Sequence, residues 1–138
     1  MKRCAVVAFV VLLIAVALAP AAGAKAKTWK KVITCSGATE SYTDQYDSKP
    51  FKLLGGRQKL VAIVVPDPEL EENDMEDWWM GSWFVEQIGG WHSAYLTMDP
   101  SEGSGTTATG FFKLPKGRYF INPSTANCSW TVTLYEKR

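Results

Sequence analysis

The chain has 138 residues, 15 Lys and Arg against 14 Asp and Glu, three cysteines and a single histidine, and 46% of it is hydrophobic. A balance this close to neutral argues against bulk nucleic-acid binding, which needs a basic surface to displace condensed counterions. Isolated cysteines and one histidine lack the ligand spacing of a zinc site, and no cofactor is expected.

Met1-Lys2-Arg3 precedes an apolar run from Cys4 to Leu18 and a small-residue exit at Ala22-Gly23-Ala24. These are the basic, apolar and cleavage regions of a signal peptide. The run falls short of the ~20 apolar residues that a membrane anchor needs, and Pro20 ends it. Residues 1–24 are therefore expected to be removed, leaving 25–138 as one domain. That domain has no membrane span and is secreted, periplasmic or held at the cell surface. Loss of Lys2 and Arg3 leaves 13 basic residues against 14 acidic. Cys4 departs with the signal, and Cys35 and Cys128 are expected to form one disulfide in an oxidising compartment. Closing a loop of about ninety residues would contribute roughly 4 kcal/mol.

In chain order, Thr28 to Cys35 is the first predicted strand, with Trp29, Lys31, Ile33 and Cys35 on one face. Ser36-Gly37 ends it, and a polar stretch runs from Ala38 to Ser48. Lys49 to Leu54 is a second strand, closed by a Gly55-Gly56 turn. Lys59 to Val65 contains the unbroken apolar run Leu60-Val61-Ala62-Ile63-Val64-Val65, which predicts a central strand covered on both faces. Pro66-Asp67-Pro68 stops it, because proline cannot donate to the ladder.

Glu69 to Asp77 reads as a long, carboxylate-rich loop. Trp83 to Ile88 and Trp91 to Met98 predict a hairpin across Gly89-Gly90. After a loop from Asp99 to Gly105, Thr106 to Leu114 and Gly117 to Asn122 predict another hairpin across Pro115-Lys116-Gly117. Asn122 to Asn127 reads as a loop. Ser129 to Tyr135 is the last strand, with Trp130, Val132 and Leu134 on one face and Thr131, Thr133 and Tyr135 on the other. About eight strands predict an all-β, antiparallel, two-sheet β-sandwich that is jelly-roll-like.

The stretch from Phe112 through Leu114-Pro115-Lys116-Gly117-Arg118-Tyr119 to Cys128-Ser129-Trp130-Thr131-Val132-Thr133-Leu134 resembles the ending of small exported bacterial β-sandwich domains, as in pre-peptidase C-terminal-like domains. Phe51-Lys52-Leu53-Leu54-Gly55-Gly56 is similar to the middle of such domains. The resemblance covers about half of residues 25–138 and rests on structural motifs, so it implies fold more than function. Members of that group are typically non-catalytic accessory or surface domains, and the tryptophan- and acid-rich centre has no counterpart in the pattern.

Two features of that centre carry chemistry. Asp67, Glu69, Glu71, Glu72, Asp74, Glu76 and Asp77 form an acidic run of the kind that holds calcium in exported β-domains. No glycine occupies its middle as an EF-hand requires, and a solvated loop is the favoured reading. Trp78, Trp79 and Trp91 are the candidate ligand-binding rings, with Asp74 and Asp77 supplying polar contacts. Sugars stack their apolar faces on flat aromatics while carboxylates take their hydroxyls. Alternation along a strand cannot hide both Trp78 and Trp79 on one face. Trp29, Trp83 and Trp130, set in strand patterns, are assigned to the core.

His92 beside Ser93 suggests a hydrolytic pair, but neighbours on a strand point to opposite faces, and no Gly-x-Ser-x-Gly elbow is present. No catalytic residue is assigned. Asn127-Cys128-Ser129 matches a glycosylation sequon. The reading that results is a secreted, non-enzymatic binding or surface-interaction module, with a glycan or a protein at the cell surface as partner. The alternatives are a small secreted hydrolase using acidic-loop carboxylates, a loop-presenting inhibitor, and a purely structural envelope protein.

Overall fold

The computed structural model describes residues 25–39, 47–67, 79–99 and 106–138. Its described elements are eight strands: β1 (Trp29–Thr39), β2 (Phe51–Leu53), β3 (Gln58–Pro66), β4 (Met80–Gln87), β5 (Ser93–Met98), β6 (Thr107–Phe112), β7 (Gly117–Ala126) and β8 (Cys128–Lys137). They form two four-stranded antiparallel sheets, ordered β1-β8-β3-β6 and β2-β7-β4-β5. The pairs β1–β8, β2–β7, β3–β6 and β4–β5 are those of one long hairpin folded over on itself, and β3–β8 and β4–β7 complete the sheets.

Period-2 alternation builds the core between the sheets. Leu60, Ala62 and Val64 of β3 face Val132 and Leu134 of β8 within one sheet, and Trp83 and Val85 meet Tyr119 and Ile121 in the other; all are fully buried. Trp130, Val132 and Leu134 point inward as the alternation of β8 requires, while Thr131, Thr133 and Tyr135 face outward. The rings of Trp83 and Trp130 meet edge-on with centroids 6.0 Å apart. A Cβ on Gly37 would lie 2.6 Å from the Trp130 ring, so the glycine makes room for the indole.

Several sequence expectations are corrected. β3 is central but covered on one face only: Ile63 and Val65 are 50% and 61% exposed, because the architecture has two layers and β3 lies in an outer one. Thr106–Leu114 and Gly117–Asn122 do not form a hairpin. β6 pairs with β3 and β7 with β2 and β4, so Pro115-Lys116-Gly117 carries the chain from one sheet to the other. Asn122–Asn127 is largely strand, and Pro123 is tolerated inside it for a local reason. Ile121 turns its backbone N–H and C=O toward Ser48 on the β2 side, and Pro123, two residues on, turns its nitrogen the same way beyond the end of β2. The tight β7–β8 connection needs a left-handed residue, supplied by Asn127 at φ 52°.

The expected disulfide is also corrected: Cys35 and Cys128 are free thiols. β1 runs four residues past its expected end, so Cys128 pairs with Thr39 while Cys35 pairs with Val132. Four residues of strand separate the cysteines by about 13 Å, roughly twice the Cα spacing that a disulfide spans. Burial pushes the Cys128 thiol up to about 11, with a backbone contact at Ala126 opposing it. Burial also raises Cys35, against a hydrogen bond with Ser48. Both groups are protonated at neutral pH and therefore poor nucleophiles.

A cationic aromatic cleft as the candidate functional site

An antiparallel sandwich brings alternate connections to the same end. One end carries the start of β1, the β2–β3 turn, the β4–β5 turn, the β6–β7 crossover and the C-terminus. From Lys25 onward, every lysine and arginine except Lys49, which stands beside the middle of β7, lies in the half of the molecule at this end. Here a cleft of about 840 Å³ is lined by Lys27, Arg57, Lys113 and Lys137 with Phe111, Phe112 and Gly55-Gly56, and no carboxylate lines it among the described residues.

A buried polar network shapes the cleft. Glu136 and Gln58 are both fully buried. The Glu136 carboxylate accepts hydrogen bonds from the backbone N–H groups of Leu54, Gly55 and Gly56 at 2.9–3.2 Å and from Gln58 Nε2 at 3.0 Å. It also pairs with Arg138 Nε at 2.9 Å. Gln58 in turn accepts from Leu114 N at 2.7 Å and donates to Leu114 O at 3.3 Å. Two side chains thus fasten both loops that bound the cleft. Burial alone would raise the Glu136 carboxyl, but the Leu54 N–H, the Gln58 amide and Arg138 outweigh it and hold it below its ordinary value. Tyr119 Oη, donating to Pro115 O at 2.8 Å, braces the crossover.

The turn itself requires glycine. Gly55 adopts φ +87°, and a Cβ on Gly56 would stand 2.5 Å from the Lys137 carbonyl oxygen. The close approach lets three consecutive N–H groups converge on one carboxylate.

Beside the cleft, the outer face of the β1-β8-β3-β6 sheet presents rings and cations together. Lys59 Nζ lies 4.8 Å from the centroid of Trp29 and 4.9 Å from that of Tyr135, and the Arg57 guanidinium is 5.1 Å from that of Phe111. Trp29 and Phe111 are 6.0 Å apart, and Phe111 is 55% exposed. A register shift between Lys31 and Ile33 creates this arrangement. Past the shift, Ile33 and Cys35 pack against the core, whereas Lys31 pairs with outward-facing Tyr135 and Trp29 with Lys137. The expectations that Trp29 lies in the core and shares a face with Ile33 and Cys35 are therefore corrected.

The site residues expected from sequence fall elsewhere. Trp79 is buried in the core at 8% exposure, at the start of β4. Trp91 is 86% exposed, follows the β4–β5 turn and stacks on His92 at a centroid distance of 4.3 Å. The length of β4 stands between them, about 26 Å of extended chain, so they belong to opposite ends of the molecule. Trp78, Asp74 and Asp77, with the rest of the acidic run after Asp67, lie outside the described residues. Among the described residues, no three His, Cys, Asp or Glu side chains come together as metal ligands.

The cleft was missed because its cations are scattered along the sequence and meet only through strand pairing. One signal was present: no lysine or arginine occurs between Lys59 and Lys113. Such a gap segregates charge once the strands line up. Chemically, the arrangement offers donors and positive charge for anionic groups and flat apolar surface for rings. No protein-family model, curated protein or solved structure matches this chain.

Proposed function

We propose that the protein is a secreted, non-enzymatic binding module that takes an acidic glycan in the cationic cleft. The carrying observation is that four cations and two phenylalanines line one cleft with no carboxylate beside them among the described residues. Sugar rings offer apolar faces to Phe111, which lines the cleft and is 55% exposed, with Trp29 and Tyr135 beside it, and uronate or sulfate groups match the lysine and arginine donors. The strand order supports a jelly-roll reading of the fold, an architecture shared by many lectin domains. The resemblance to pre-peptidase C-terminal-like domains belongs to this proposal as an analogy of strand grammar, consistent with a surface role. Exposed Trp91, at the same end as the cleft, is the one described residue of the sequence-derived set that can add a stacking surface there.

The test is calorimetric titration with an oligogalacturonate, a size-matched neutral glucan and a single-stranded oligonucleotide. The uronate should bind, the glucan should not, and the Arg57→Glu/Lys113→Glu variant should weaken uronate binding by roughly tenfold or more. Equal binding of glucan and uronate, or an unaffected variant, would overturn the cleft as the site. Tighter binding of the oligonucleotide would reassign the ligand class, because bases also stack on exposed rings.

A further inference from the structure

The two ends of this fold carry opposite chemistry in one chain. The run Asp67, Glu69, Glu71, Glu72, Asp74, Glu76 and Asp77 contains no basic residue. Its anchors are Asp67, bonded through its backbone to Asn127 just past β3, and Trp79, just before β4. Both anchors lie at the end opposite the cleft.

We infer that the acidic run of one copy docks in the cationic cleft of a second copy, so that the protein self-associates through its own unlike ends. This rests on the reading of the cleft as an anion-binding site, and it names that site's protein partner. Charge complementarity selects the occupant: beyond Asp67 the run brings six carboxylates, and the cleft offers Lys27, Arg57, Lys113 and Lys137.

Chain length weighs against the intramolecular alternative. Arg57 and Asp67 are separated by the length of β3, about 33 Å of extended strand. The connection from Asp67 to Trp79 must leave one end and return to it, so its furthest excursion is roughly 20 Å. A copy could bring no more than the fully stretched tip of its acidic run to its own cleft, whereas the cleft of a neighbour can take the run as a whole. Because the contact joins unlike surfaces, it closes as an antiparallel pair or extends head to tail. In both cases self-association competes with glycan for the cleft.

Sedimentation velocity on the full chain tests this with two complementary variants. One carries Glu69→Gln, Glu71→Gln, Glu72→Gln, Asp74→Asn, Glu76→Gln and Asp77→Asn; the other carries Arg57→Glu and Lys113→Glu. The wild type should gain mass with concentration at low salt and become monomeric at about 0.5 M NaCl, where screening acts within a few ångströms. Each variant alone should stay monomeric, and an equimolar mixture should associate, because one retains the cleft and the other the acidic run. The neutralised-run variant should bind oligogalacturonate at least as tightly as the wild type. A wild type that is monomeric at low salt, or a mixture that fails to associate, overturns the self-association. Loss of uronate binding in the neutralised-run variant would also count against it. Undiminished uronate binding by the cleft variant overturns the cleft reading instead, so the two failures are distinguishable.

Discussion

At the cleft end, the interior is organised by a buried carboxylate. Glu136 gathers the N–H groups of the β2–β3 turn, and Gln58 fastens the β6–β7 crossover to it. Toward the opposite end, the interior is aromatic: Trp79, Trp83 and Trp130 belong to one core cluster with Met98 and Cys128, and the indole N–H groups of Trp83 and Trp130 have no hydrogen-bond partner among the described residues. One end is specified by directional bonds to a charge and holds exposed loops in a defined shape. The other is stabilised by area removed from water. A recognition surface belongs with the first kind of construction, because loops fixed by hydrogen bonds present their side chains with little backbone ordering cost on binding.

The contrast is broken most severely at its centre. Glu136→Ala removes the shared acceptor of three part-buried backbone N–H groups and one of the two acceptors of the buried Gln58 amide, and should cost about 3–5 kcal/mol in denaturant unfolding. The same group makes the cleft end sensitive to acid. Its folded pKa is depressed, so its stabilisation is fully present above the unfolded value and is lost as pH falls through the folded one. The unfolding midpoint of the wild type should therefore drop on acidification below the ordinary carboxylate range, and Glu136→Gln should flatten that limb. An unchanged acid limb in Glu136→Gln would move the acid sensitivity elsewhere.

Trp79 and Trp91 sharpen the comparison, since they are twelve positions apart with opposite environments. Trp79→Ala should destabilise by about 3 kcal/mol through lost burial and a cavity. Trp91→Ala should stay within about 0.5 kcal/mol, as exposed positions do. Comparable losses in the two variants would contradict the placement of these rings. Gly56→Ala should fall between, at about 1–3 kcal/mol, because its new Cβ meets backbone and cannot be accommodated by a side-chain rotation. The smallest effect expected is none: reductant should leave the melting temperature unchanged, and intact mass should correspond to free Cys35 and Cys128.

The strand pattern was legible in the sequence wherever local signals determine structure. Gly89-Gly90 between apolar runs marked the β4–β5 hairpin, and the alternation from Trp130 to Tyr135 oriented β8. Legibility failed where the outcome depends on a partner strand. Pro115-Lys116-Gly117 carries the same turn chemistry whether the following strand pairs back or crosses to the second sheet. Asn122 to Asn127 reads as a loop, and becomes strand because β2 ends early and leaves Pro123 no donor to supply, which cannot be read locally. The bulge that turns Trp29 outward is a register event against β8, invisible in β1 alone. The same reasoning covers the site: Lys27, Arg57, Lys113 and Lys137 span more than a hundred residues, whereas the conspicuous tryptophans of the centre are neighbours in sequence and separated in space.

The central claim, that the cationic end recognises an anionic saccharide, is tested most directly by the affinity for oligogalacturonate across a NaCl series. Affinity should fall steeply and log-linearly with salt, by roughly tenfold or more between 50 and 200 mM, because several cations replace counterions of the ligand. A salt-independent affinity would contradict the account and assign recognition to apolar contact alone.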